Sequence, residues 1–117
     1  MTWRVQFHPD FAREADALSE AVPVELIAGI RLLEHLGPSL GRPAVDTLSG
    51  SKHANMKELR FRADGGVWRI AFAFDPQRQA ILLVAVDKSG QSERVFYRRL
   101  IAKADARFAA HLKRLRG

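Results

Sequence analysis

The chain has 117 residues and no cysteine, and its 19 lysines and arginines outnumber 13 acids for a net charge of +6. With 47% hydrophobic and 27% charged residues it reads as globular rather than disordered. The missing cysteines exclude a disulfide scaffold, a thiolate metal site and a cysteine nucleophile. The length predicts one domain over residues 1–117. Residues 1–5 lack an apolar signal core and no run could span a bilayer. The expected compartment is therefore the cytoplasm, with no membrane partner.

Residues 2–7 alternate, with Trp3, Val5 and Phe7 on one side, and predict a short strand. His8-Pro9-Asp10 suits a helix start. Phe11, Ala15 and Leu18 then mark a helix to about Glu20. Pro23 restarts the pattern, and Leu26, Ile30 and Leu33 give a second helix ending at Gly37-Pro38. Residues 37–55 keep no apolar period and predict a long loop. Strands follow over 56–62 and 67–74, joined by the hairpin signal Asp64-Gly65-Gly66. A turn at Asp75–Arg78 leads into the apolar run 80–86, which suits a central strand. Ser92 is the expected N-cap of a last helix running to about Arg114, with Phe96, Leu100, Ala104, Phe108 and Leu112 on one stripe. The order β-α-α-β-β-β-α predicts an α+β fold, its sheet mainly antiparallel.

The charge is segregated. Residues 1–51 carry four basic side chains against seven acids, and residues 52–117 carry fifteen against six. Such a basic half attracts polyanions, nucleic acid above all. No phosphate-binding Gly loop and no serine-hydrolase elbow is present. The four histidines lie apart from other ligands, so neither a metal nor a cofactor is expected. What remains is arginine. Arg60 and Arg62 share one face of their strand, and hairpin pairing brings Arg69 beside them, with Ala71 and Ala73 leaving room for a bound group. Clustered guanidinium groups call for an anion, and phosphate matches their paired donors. The competing reading is a solvated face neutralised by Glu58 and Asp87. Lys57, Lys88 and His53 are nearby in sequence. Arg98 and Arg99 head a basic helix face suited to RNA backbone or to plain solvation.

The ordered set Leu40-Gly41-Arg42-Pro43, Leu48-Ser49-Gly50, Lys57-Glu58-Leu59-Arg60, Trp68-Arg69-Ile70-Ala71-Phe72 and Asp87-Lys88 resembles the RelE/HigB/ParE toxin superfamily, nearest its HigB-like, phage-derived branch. The resemblance implies a strand and helical hairpin packed on a twisted sheet, with a C-terminal helix. It implies a cytoplasmic toxin of a type II toxin–antitoxin module, neutralised by a small antitoxin, often a helix-turn-helix protein. RelE/HigB relatives cleave mRNA on the translating ribosome, whereas ParE relatives inhibit DNA gyrase without catalysis. For metal-independent mRNA cleavage the candidate catalytic residues are Arg60, Arg69, Lys57 and Lys88. The RNA-binding candidates are Arg62, His53, Arg98 and Arg99. Ser89 stands where many relatives have a second lysine, and Tyr97 and His111 are the available substitutes for a tail tyrosine or histidine. The general base stays open.

Overall fold

Strict alternation over residues 56–74 sets the frame, because it lets one hairpin bury a different set of side chains on each face. In the computed structural model, which describes residues 2–117, β1 (Arg4–Phe7) is followed by α1 (Pro9–Ala15) and α2 (Ala21–Leu36). A 3-10 turn (Gly37–Ser39) leads to β2 (Val45–Thr47), β3 (Met56–Ala63), β4 (Gly66–Phe74), β5 (Gln79–Asp87) and α3 (Glu93–Leu115). The five strands form one sheet in the order β1-β5-β4-β3-β2, antiparallel except for the parallel β1–β5 pair. The α+β class and the segregated helices are as expected.

The sheet lies between two helical layers. On one face Phe11 of α1 and Leu26 and Leu33 of α2 pack against Leu59, Ile70, Phe72 and Leu82. On the other, Phe96, Leu100, Ala104 and Phe108 of α3 pack against Met56, Ala71, Ala73 and Val84. Ala71 and Ala73 are fully buried. Their small size makes room for α3, so the expectation that they leave space for a ligand is corrected. Gly29 has a similar role on α2, since a Cβ there would sit 2.6 Å from Leu59 Cδ2.

Several boundaries differ from the expectation. Helix α1 ends at Ala15, not near Glu20. Helix α2 starts at Ala21, and Pro23 is accommodated in its first turn, where its missing N–H would have no helical partner. The predicted loop 37–55 contains the 3-10 turn and β2, whose three residues are too few to show a period. Ser92 is the N-cap of α3, but its side chain makes no capping hydrogen bond. The β3–β4 turn places Asp64 and Gly65 at φ +52° and +73°, the pair of left-handed residues that a two-residue hairpin requires. In β5, Ala71 pairs with Val84 but Phe72 with Leu82, so Leu83 is an extra residue. This bulge turns both Leu83 and Val84 toward α3. The run is apolar throughout because both faces of β5 are covered by helices. No helix among the described residues is long and apolar enough to cross a membrane.

Candidate active site

Register decides which side chains can meet. Arg60 pairs with Arg69, Arg62 with Val67, Glu58 with Ala71, and on the β2 side Asp46 pairs with Glu58. Directly paired residues share a face. Asp46, Glu58, Arg60, Arg62 and Arg69 therefore all project on the α3 side of the sheet. Beyond the end of the α3 layer, Arg60, Arg62 and Arg69 line one open cleft of about 340 Å³ with Pro43, Phe61 and Val67. Arg60 also borders a second cleft of about 410 Å³, lined by Arg42, Asp46, Ser49, Glu58 and Tyr97 among others. The three arginines that the alternation puts on one face thus line a common cleft.

The three differ in their restraint. Arg69 is buried, and its Nε lies 3.4 Å from Glu58 Oε1 and 3.4 Å from the Tyr97 hydroxyl. Its Nη1 donates to Trp68 O at 3.0 Å. The Tyr97 hydroxyl donates to Glu58 Oε1 at 2.9 Å. Arg60 is half-buried and Arg62 exposed, and neither forms an ion pair among the described residues. The neutralisation considered from sequence therefore applies to Arg69 through Glu58 and leaves Arg60 and Arg62 without a direct ion pair among the described residues. Asp87 instead braces the turns, accepting from Val67 N at 3.0 Å and Ser89 N at 2.9 Å.

Two carboxylates in adjacent positions are driven in opposite directions. Burial pushes the Glu58 carboxyl above its ordinary range, although the Tyr97 hydrogen bond and the Arg69 charge pull it down. The Arg42 hydrogen bond holds Asp46 below the usual carboxylate range. Divergent environments of this kind separate a carboxyl that keeps its proton to higher pH from one that stays ionised. The sequence offers Glu58 only as a neutraliser and Tyr97 only as a substitute for a tail tyrosine, so their bond to each other is a finding of the structure. The signal for Glu58 was present, since in Lys57-Glu58-Leu59-Arg60 alternation puts Glu58, not Lys57, beside Arg60.

The other candidates are dispersed. Lys57 pairs with Phe72 and Thr47 and projects on the α1–α2 side, away from Arg60. Grouping it with the arginines is corrected by the period of two. His53 precedes β3 and packs its ring 4.9 Å from Phe108. Its neighbour in the strand, Met56, is already about 13 Å along β3 from Arg60. Lys88 does reach this region, with Nζ 5.5 Å from the Tyr97 ring centroid and 2.7 Å from Glu93 Oε1. Arg98 is exposed, about 100° around the helix from Tyr97. Arg99 is separated from this site, lining a groove with Val84, Val86 and Lys103 on the other flank of α3. His111 binds buried Asp75 at 2.8 Å near the β4–β5 turn, so only Tyr97 of the two aromatic substitutes belongs here.

Residues 13–109 match the family described as Phage derived protein Gp49-like (DUF891). The chain is 51% identical over 88 residues to a protein named as the toxin HigB2 of Mycobacterium tuberculosis, covering 74% of this chain and 43% of that one. It therefore spans less than half the length of that relative. It is 46% identical over 99 residues to the toxin HigB3 of the same organism, covering 85% and 84%. In fold it resembles a free-state mutant of the E. coli toxin RelE, with TM-score 0.64, 13% identity and coverage of 92% of this chain and 98% of that one. It also resembles archaeal RelE solved with RelB from Pyrococcus horikoshii, with TM-score 0.55, 18% identity and coverage of 78% and 100%. With the profile spanning most of the chain and two curated relatives near half identity, the protein belongs to the phage-derived Gp49-like family, in the HigB branch of the RelE/HigB toxin superfamily.

Proposed function

We propose that this protein is the toxin of a type II toxin–antitoxin module and acts as a metal-independent mRNA endoribonuclease on the translating ribosome, with an antitoxin as its neutralising partner. The observation that carries the chemistry is the cleft shared by Arg60, Arg62 and Arg69, with Glu58 and Tyr97 on its flank. The names of the relatives support the toxin role, and the RelE–RelB complex supports an antitoxin partner.

In this reading the scissile phosphate lies among the arginines. Arg60 and the free donors of Arg69 stabilise the charge that builds on the phosphoryl oxygens, and Arg62 holds the adjoining backbone. Glu58 takes the proton from the 2′-hydroxyl. The 2′-oxygen attacks phosphorus in line, the P–O5′ bond breaks, and the products are a 2′,3′-cyclic phosphate and a 5′-hydroxyl. Lys88, beside Tyr97, is the remaining donor for the departing 5′-oxygen. Lys57 and His53 have no part in this step. A site with three cations but only one paired base depends on the correct RNA geometry, which the ribosome supplies.

The decisive experiment incubates the purified chain with programmed ribosomes and maps the RNA ends. Cleavage within codons leaving cyclic phosphates is expected. Arg60→Ala should lower its rate by about 10²–10³-fold with the circular dichroism unchanged, because Arg60 is outside the buried Glu58–Arg69 pair. Intact mRNA together with inhibited gyrase supercoiling would replace this reading by a ParE-like one.

A further inference from the structure

Two residues of Leu40-Gly41-Arg42-Pro43 border the proposed active site without a part in its reaction. Pro43 lines the three-arginine cleft, and Arg42 lines the adjoining cleft of about 410 Å³. Arg60 is common to both clefts. Its backbone N–H donates to Ala44 O at 2.8 Å, which holds the loop before β2 against β3. With the scissile phosphate among Arg60, Arg62 and Arg69, the nucleoside next to it falls in the second cleft, whose volume suits one nucleoside.

The Arg42 side chain is 78% exposed, yet its guanidinium is held in one orientation. Nε and Nη2 both donate to Asp46 Oδ2, at 3.1 and 3.0 Å. Asp46 is held in turn, because its Oδ1 accepts from Thr47 N at 2.9 Å. An exposed ion pair of this kind adds little to stability. Its effect here is on direction. A planar guanidinium bound along its Nε–Nη2 edge keeps a fork free, made of Nη1 and the second Nη2 hydrogen. That fork has no partner among the described residues.

Charge decides what the fork takes. Arg60 and Arg62 have no ion pair among the described residues, and a phosphate suits them. Arg42 has a carboxylate of its own 3.0 Å away, kept ionised by the same contact. A phosphate at the fork would lie close to that carboxylate and be repelled by it. Two neutral acceptors satisfy both donors without that repulsion. Among the RNA bases, guanine presents adjacent acceptors at O6 and N7, and cytosine at O2 and N3. Adenine and uracil offer no such pair. We infer that Arg42, oriented by Asp46, reads the base of the nucleotide adjoining the scissile phosphate and selects one with two adjacent acceptors, guanine or cytosine. Asp46 is a positioning residue, since it acts through Arg42. The inference rests on the nuclease reading for where the RNA lies, and on the fork for which base is taken.

The test measures single-turnover cleavage of mRNA on programmed ribosomes by the full chain, with each of the four bases placed in turn on either side of the cut. At one of the two positions guanine or cytosine should be cut about tenfold faster than adenine and uracil. Preference for guanine alone marks the O6/N7 edge, and for cytosine alone the O2/N3 edge. Arg42→Lys keeps the charge but loses the fork, and should bring the ratio below about twofold. Asp46→Asn should lower the ratio in the same direction by freeing the guanidinium. A pair that merely braces the loop would change the thermal midpoint in these variants and leave the ratio alone. Cleavage at equal rates for all four bases, or a preference that survives Arg42→Lys, overturns the inference and leaves the nuclease reading in place. If no RNA is cut, the nuclease reading fails, and titration of the ¹⁵N-labelled chain with the four nucleoside 5′-monophosphates decides the rest. Guanosine or cytidine monophosphate should then shift the Arg42 Nε–H resonance and bind about tenfold more tightly than the adenosine and uridine compounds. Equal affinities, or no saturation below about 10 mM, would overturn the inference as well.

Discussion

Burial of Glu58 raises the pH at which its carboxylate becomes available. As general base it must be ionised, so cleavage should increase with pH through an inflection above the ordinary glutamate value of 4.5. Glu58→Gln should lower the rate by about 10²–10⁴-fold and abolish that inflection. An unchanged profile in single-turnover assays across pH would assign the base elsewhere. His8 provides a separate pH signal, in stability. Its Nδ1 accepts from Asp10 N at 3.1 Å and caps α1, while Nε2 is buried without a partner among the described residues. Burial lowers its pKa below 6.5. The unfolded chain therefore binds the extra proton first as the pH falls, and the sign is a loss of stability below about 6.5. Asn retains a capping oxygen and does not titrate. His8→Asn should thus flatten the urea-unfolding midpoint between pH 7 and 5, while the wild-type midpoint falls.

The bulge in β5 depends on one side chain from another element. Arg107 of α3 donates to Leu83 O at the bulge and grips Glu14 of α1 with both nitrogens, at 2.8 and 2.6 Å. It thereby ties both helical layers to the sheet. Arg107→Ala should cost about 2 kcal/mol in chemical denaturation, most of it from the bulge carbonyl, because Glu14 is half in water. A loss below about 0.5 kcal/mol would make the contact incidental. At this scale the legible elements were those whose side chains alternate or recur over several residues. β3, β4 and α3 were evident, since each buries a full stripe. β2 escaped notice because it gains its place only by pairing with β3, and the extent of α1 was overread because Leu18 continues a helical spacing beyond Ala15. The bulge left no trace, because with both faces covered the run 80–86 is apolar as in an ordinary central strand.

At the scale of the whole molecule, the uneven charge along the chain becomes an uneven charge across the sheet. The acidic first 51 residues supply the α1–α2 layer and β2, and the basic remainder supplies the hairpin arginines and α3. One layer is therefore net negative and the other net positive, a polarity that in the proposed function would orient an approaching RNA strand before contact. The sequence showed this polarity plainly. Alternation alone already turns Lys57 away from Arg60, whereas the distance of His53 from the cleft depends on where β3 begins, which the sequence leaves open. If the cleft holds RNA through Arg60, Arg62 and Arg69, about three counterions leave the strand on binding. The affinity for a short single-stranded RNA should then fall with salt with a log–log slope of about −2. Arg60→Ala should reduce the magnitude of that slope by about 0.7, measured by fluorescence anisotropy between 50 and 300 mM salt. A neutral substitution at Arg31, on the acidic layer, should leave it unchanged. A slope insensitive to Arg60 would place the RNA on α3 alone and remove the arginine cleft from the binding path.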